Sequence, residues 1–222
     1  MIALDYFAIN TKIYAMRAKH IEHPTYQHLH DDFCKIYAFI TNYKVRKFLK
    51  AYFAKHTSSP QPGLHYFMNL WKAIDKHLLG RDKHLLKQLV GTEIDLRNLQ
   101  WIYRLKHYYK VPVSQVYAKL IPISYRISVD KLMQLAEAKS TLELNNAPYN
   151  INFSEPVALE RHLLRLYKRS AILNPQTLAA ALYYLLLKEA EVKNVTALSE
   201  GARYGLGPKD LAAYLIVEAE AY

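Results

Sequence analysis

The sequence predicts an all-α protein built from repeated helical modules, with two recognisable repeats. Three observations predict it. No segment shows the period-two alternation of apolar and polar residues that a half-buried strand requires. The chain has only six glycines in 222 residues, few for strands joined by tight turns. A helix-patterned segment also occurs twice, as Gly91-Thr-Glu-Ile-Asp-Leu-Arg-Asn-Leu-Gln-Trp-Ile-Tyr-Arg-Leu-Lys106 and as Glu189-Ala-Glu-Val-Lys-Asn-Val-Thr-Ala-Leu-Ser-Glu-Gly-Ala-Arg203. Placing Asp95 on Asn194 gives an offset of 99 residues (194 − 95 = 99), which sets Leu96 on Val195, Leu99 on Leu198 and Arg104 on Arg203. Each copy precedes a proline-marked turn and a short helix, and the short helices end alike in Lys119-Leu-Ile121 and Tyr214-Leu-Ile216. Self-similarity of this kind marks a modular scaffold.

Leu4 to Ile21 reads as the first helix, with Tyr6, Ile9, Ile13 and Met16 at helical spacing. Pro24 ends it. Tyr26 to His56 continues in helical pattern on Phe33, Tyr37, Ile40, Phe48 and Tyr52, with Asn42 as a kink or turn. Thr57-Ser-Ser-Pro-Gln-Pro-Gly63 stacks turn formers and reads as a loop. Leu64 to Leu78 is helical and Gly80 closes it. Lys83 to Tyr109 follows as a long helix containing Gly91, where a glycine costs about 1 kcal/mol against alanine and therefore points to close packing.

Pro112 stops that helix, and Ser114 is positioned to cap a short one reaching Leu120. Ile121 to Ser128 is an extended connector, and Ser128 caps a helix over Val129–Ala138. The polar run Asn145-Asn-Ala-Pro-Tyr-Asn-Ile-Asn152 separates two parts. Residues 1–144 form an N-terminal helical region with the first module, and 153–222 form the C-terminal module, within one multi-lobed unit. Ser154 is placed to cap the next helix, with Pro156 in its first turn. Asn174-Pro175 starts a helix that runs to Tyr204, Gly205 and Gly207 end it, and Pro208 opens the last.

A chain of this length can bury on the order of 70% of its unfolded surface. The hydrophobic fraction of 51% and mean hydropathy of -0.15 fit a folded, soluble protein. The nineteen tyrosines suit interfaces between packed elements, having apolar bodies and polar tips. A net charge of +11 implies an acidic partner, whether nucleic acid, anionic membrane or acidic protein. The single cysteine, Cys34, excludes an internal disulfide and fits a reducing, cytoplasmic setting; between Phe33 and Ile36 it reads as a buried small hydrophobe. The most apolar run, Leu178 to Leu187, is too short to span a bilayer. Asp5 ahead of Lys12 and Arg17 is the wrong charge order for a secretory signal.

The residues do not converge on catalysis. His28-Leu-His30-Asp31-Asp32 has metal-ligand residue types, but on a helix positions 28 and 30 point about 200 degrees apart, and zinc favours a spacing of three or four. A solvated face is expected, with no metal. Glu93, Glu189, Glu191 and Glu200 include an ordinary i,i+4 pair, Glu189 with Lys193, expected to be exposed. Gly201, Gly205 and Gly207 lack the preceding strand of a phosphate loop. No catalytic residue, cofactor or small-molecule substrate is expected. Tyr103-Arg-Leu-Lys-His-Tyr-Tyr-Lys110 mixes rings and cations as a nucleic-acid surface would, yet its tyrosines also suit helix packing.

Glu93 to Lys106, followed by Leu120-Ile-Pro122, resembles the C subunit of V-type (archaeal-type) ATPases, known as the d subunit in eukaryotes. Tyr6-Phe-Ala-Ile-Asn-Thr-Lys-Ile-Tyr-Ala-Met-Arg17 looks like the opening helix of that family. Tyr183 to Val195, with Tyr204-Gly-Leu206 behind it, is similar to the closing module. The three stretches occur in the family's order. Family members carry three related modules around a funnel, whereas this chain passes from its Tyr26–Tyr52 region almost directly to the middle motif. The resemblance implies a short form with one module absent.

It also implies a mechanical role: a non-catalytic rotor part on the cytoplasmic face. Its partners would be the central-shaft subunits and the membrane proteolipid ring, and any membrane association would run through the ring. Nucleic acid is not an implied partner. Arg104, Lys106 and Arg203 are the candidate partner contacts, Arg104 and Arg203 being related by the repeat. A basic helical adaptor binding nucleic acid or an acidic protein is the second reading that the charge allows.

Overall fold

The computed structural model describes residues 6–17, 23–55, 63–138 and 148–217, and among them helices are the only regular elements. They are α1 (Tyr6–Arg17), α2 (Tyr26–Phe39), α3 (Tyr43–Phe53), α4 (Leu64–His77) and α5 (Gly80–His107), then α6 (Val113–Tyr117), α7 (Val129–Glu137), α8 (Ala158–Leu173), α9 (Ala179–Arg203) and α10 (Pro208–Tyr214). The all-α class read from the sequence is the fold observed. The predicted loop over residues 57–62 and the part of the polar run up to residue 147 lie outside the described residues.

The chain forms two compact units. A central unit takes residues 47–154, and a terminal unit takes 1–46 together with 155–222. In the central unit α4, α6 and α7 pack on α5. Residues 89–96 of α5 are all buried, so the helix is enclosed rather than amphipathic. In the terminal unit α1, α2, α8 and α10 pack on α9, whose residues 181–185 are likewise buried. Each unit is thus organised around one long helix.

Local chemistry sets the ends of these elements, and in several places it differs from the sequence expectation. Asn42 does interrupt the Tyr26–His56 pattern, because its Oδ1 accepts from the amides of Lys44 (2.9 Å) and Val45 (3.3 Å) and caps α3. Gly80 does not close α4. Leu78 and Leu79 are extended, and Gly80 at φ 55 turns the chain into α5, a conformation for which glycine is suited. Ser114 is not the cap of α6, since Pro112 holds that position.

Ser128 caps α7 as expected, accepting from the Lys131 amide at 3.2 Å. Ser154 does not cap α8. Its hydroxyl bonds Asn152 instead, at 2.7 Å, and the helix starts after Val157. α9 begins five residues past Asn174, because Thr177 takes over the turn: its hydroxyl donates to the Asn174 carbonyl (2.7 Å) and accepts from the Ala179 amide (3.3 Å). Cys34 is exposed, contrary to expectation, since the buried face of α2 is Leu29, Asp32, Phe33 and Ile36. No helix among the described residues is long and apolar enough to cross a membrane.

Candidate functional site

The most organised polar structure lies on one face of α5. Gly91, Asp95 and Asn98 follow helical spacing and all three are buried. They hold the connector that comes after α6. Asn98 clamps Ile121 from both sides, its Oδ1 accepting from the Ile121 amide (2.8 Å) and its Nδ2 donating to the Ile121 carbonyl (3.1 Å). Asp95 accepts from the amides of Arg126 (2.8 Å), Ile127 (3.3 Å) and Tyr125 (3.4 Å), and from the Tyr149 hydroxyl (2.7 Å).

Gly91 completes the seat. A Cβ there would stand 2.5 Å from Cγ of Tyr125, so only glycine admits the ring. Burial pushes the Asp95 carboxyl above its ordinary range, outweighing the Tyr149 and backbone hydrogen bonds that favour the anion. Burial and the neighbouring Asp95 carboxylate likewise push the Tyr149 phenol up, which keeps it a donor.

The terminal unit repeats the clamp. Asn194 Oδ1 accepts from the Ile216 amide (2.7 Å) and its Nδ2 donates to the Ile216 carbonyl (2.9 Å). Asn98, not Asp95, is therefore the counterpart of Asn194; the long helices register at 96 residues (194 − 98 = 96) rather than 99, and the clamped isoleucines lie 95 apart (216 − 121 = 95). The offset of 96 pairs Glu93 with Glu189, Arg97 with Lys193, Tyr108 with Tyr204 and Pro112 with Pro208. Glu93 meets Arg97 at 3.6 Å and Glu189 meets Lys193 at 2.7 Å, each within its own helix. Both glutamates are buried, so the Glu189–Lys193 pair is not the exposed pair expected from its spacing.

Beyond the shared clamp the two modules differ. At the Asp95 position the second module carries Glu191, which accepts from Lys188 at 2.8 Å. Arg161 of α8 reaches the end of α10, donating to the carbonyls of Leu215 (3.0 Å), Ala213 (3.0 Å) and Ala212 (3.1 Å). A cation is well placed there, at the negative end of a helix.

The register of 96 separates Arg104 from Arg203, whose counterparts are Glu200 and His107. Arg104 is half-buried. Lys106 donates to the carbonyls of Leu135 (3.1 Å) and Ala138 and so caps α7 from outside. Arg203 lies at the exposed end of α9, 3.5 Å from Glu200 and 5.4 Å above the Tyr204 ring. The central module presents the matching pair His107 and Tyr108, with ring centroids 4.8 Å apart. Tyr108 and Tyr204 are 61% and 70% exposed, so both module ends carry an outward tyrosine.

The histidine and acid cluster on α2 is only partly the solvated face expected, because Asp32 is buried. The Thr25 amide donates to His28 Nδ1 (3.2 Å) while Thr25 Oγ1 accepts from the His28 amide (3.4 Å), a capping box with histidine in the usual glutamate position. Asp32 faces inward and accepts from the Tyr184 hydroxyl at 2.6 Å. The Asp95 seat and the paired asparagine clamps were not read from the sequence. The available signal was polar residues inside an apolar helix, since such groups are buried only when bonded.

A family model described as ATP synthase (C/AC39) subunit matches residues 64–214. The C subunit of the A-type ATP synthase of Thermococcus gammatolerans is 30% identical over 143 residues, 59% of this chain and 38% of that relative. The corresponding C subunits of Methanosarcina mazei and Methanosarcina barkeri are 26% and 24% identical over 164 residues, 68% of this chain and 45% of each relative. The matched region thus spans less than half the length of these curated relatives.

Proposed function

The chain belongs to the ATP synthase (C/AC39) subunit family, and from that membership we propose that it is a non-catalytic coupling subunit of an A/V-type ATPase or ATP synthase. In this role it stands between the central shaft and the membrane proteolipid ring and passes torque between them. The observation that carries the reading is the extent of the family match, residues 64–214, which takes in both long helices and the asparagine of each clamp.

The construction of each unit supports a stiff part. A connector held by side-chain bonds to a central helix resists bending better than one held by water. A net charge of +11 favours acidic docking partners and raises the rate of encounter more than the affinity. Arg203, exposed at its module end, is the leading candidate for a polar contact, and Arg104 is the second. Lys106 contributes by bracing α7.

The test mixes the purified protein with reconstituted shaft subunits and with detergent-solubilised ring at physiological salt. Co-elution with either is expected. Arg104→Glu with Arg203→Glu is expected to weaken that co-elution while the melting temperature stays within a few degrees. Failure with both partners, together with salt-sensitive binding to DNA or RNA, would transfer the reading to a basic nucleic-acid adaptor.

A further inference from the structure

The terminal unit carries a surface that neither the clamps nor the module ends explain. Between α1 and α8, above α9, lies a cavity of 60 Å³. Its walls include Ile13 and Tyr14 of α1 and Ala171 and Ile172 of α8, and Arg17 and Lys168 stand among its lining residues. Tyr14 and Ile172 are 64% and 67% exposed, so the mouth is apolar and open to solvent. At roughly 10–15 Å³ per water-sized probe, the space takes about four to six heavy atoms, enough for one aliphatic side chain.

The two helices that flank this cavity are strongly basic. α8 carries Arg161, Arg165, Lys168 and Arg169 against a single acid, Glu160, and α1 carries Lys12 and Arg17 with no acid. Three of these cations make contacts away from the cavity: Arg161 with the end of α10, Lys12 with the Phe39 ring at 4.6 Å, and Arg165 through its Nε alone, which donates to the Arg161 carbonyl at 3.4 Å. Arg17 is held beside the cavity, 5.2 Å over the Tyr183 ring and 3.3 Å from its hydroxyl. Arg165 and Arg169 are exposed, and with Ile172 they follow one helical face.

We propose that this α1–α8 face docks an acidic amphipathic helix of a partner protein. One aliphatic side chain of the partner enters the cavity, and carboxylates on its flanks meet Arg17 and Lys168 on one side and Arg165 and Arg169 on the other. A cavity sized for a single side chain favours a protein knob over a lipid surface, which would need the cations but not the pit. Helix-in-groove recognition reads out this combination of an apolar anchor and flanking charge. The inference concerns this chain alone and stands independently of any place in a rotor.

The test uses two labelled helical peptides of equal length with the same leucine stripe, one flanked by glutamates and the other by lysines. Phosphatidylcholine vesicles containing phosphatidylserine form a third arm. The glutamate peptide is expected to bind, and the lysine peptide is not. Ala171→Trp, which fills the cavity, should weaken binding at least tenfold. Arg165→Glu with Arg169→Glu should do the same and leave the melting curve unchanged, since both side chains are exposed. Equal binding of both peptides, unchanged affinity in both variants, or binding to vesicles alone would each overturn the proposal. Because no shaft or ring is present, failure here is distinct from failure of the co-elution experiment.

Discussion

α5 and α9 solve the same problem with different degrees of commitment. Each is the long helix of its unit, and each holds the Leu-Ile end of a following short helix through an asparagine. In α5 the clamp is buried and reinforced by an acid that takes four donors. In α9 the clamp is only half-buried, and support comes from outside, through Arg161 on the carbonyls at the end of α10. The central module bonds its connector along its length, whereas the terminal module, over the described residues, has its last helix braced at one end.

The largest effect is expected at Asp95. Asp95→Ala leaves three backbone amides and the Tyr149 hydroxyl without their acceptor. Relief from burying a charge offsets part of this, and the net loss should be about 3 kcal/mol, read as a lowered urea midpoint. Arg161→Ala, which removes the corresponding support in the terminal module, should cost about 1 kcal/mol because its partners stay reachable by water. If the two variants melted alike, the contrast between the modules would be gone.

The glycines sharpen the comparison. Gly91→Ala drives a Cβ to 2.5 Å from Cγ of Tyr125 and 2.9 Å from its Cβ. Rotating the ring leaves the contact with the Tyr125 Cβ, and the backbone that carries it is bonded to Asp95. Overpacking of this kind costs about 2 kcal/mol. Gly201→Ala meets a Leu211 methyl at 2.0 Å, the far end of a flexible side chain on a short surface helix. Its cost should be nearly cancelled by the roughly 1 kcal/mol that alanine gains over glycine inside a helix. Thermal melts of the two variants test this, and a larger loss at Gly201 would reverse the assignment.

The asparagines themselves give a smaller contrast. Asn98→Ala orphans a buried amide and a buried carbonyl at Ile121, for about 2 kcal/mol, whereas Asn194→Ala leaves groups nearer solvent, for about 1 kcal/mol. Hydrogen exchange at the Ile121 and Ile216 amides would report each clamp separately. Equal protection loss in both would mean that burial does not distinguish them.

Most of the fold could be read in the sequence, because helix periodicity, Pro112, Pro208 and Ser128 act over a few residues and their signals are local. The errors came where a neighbouring group competed for a local role. Pro112 displaced Ser114, Asn152 took the Ser154 hydroxyl, and Thr177 delayed α9. The module register was misread for a related reason. Matching apolar residues tolerates a slip of three along a helix, since positions three apart share a face. The clamp is stricter, because an asparagine must reach one particular backbone unit, 23 residues on in one module and 22 in the other. Cys34 shows the same limit: neighbours in sequence are not neighbours on a helix, and it is Asp32 that α2 buries.

The smallest predicted effect is the pH dependence of the central clamp. Burial holds the Asp95 carboxyl above its unfolded value near 3.8. A carboxyl raised on folding contributes stability that is fully present below the unfolded value and is lost as pH rises through the folded one. The wild type should therefore lose stability relative to Asp95→Asn as pH climbs out of the acid range, and the difference should level off once the carboxyl has ionised. Urea midpoints of the two proteins across that range measure it directly. No pH-dependent difference would mean that the four donors fully compensate the buried charge. The opposite slope would mean that they overcompensate, and that the anion is the form the central module is built to hold.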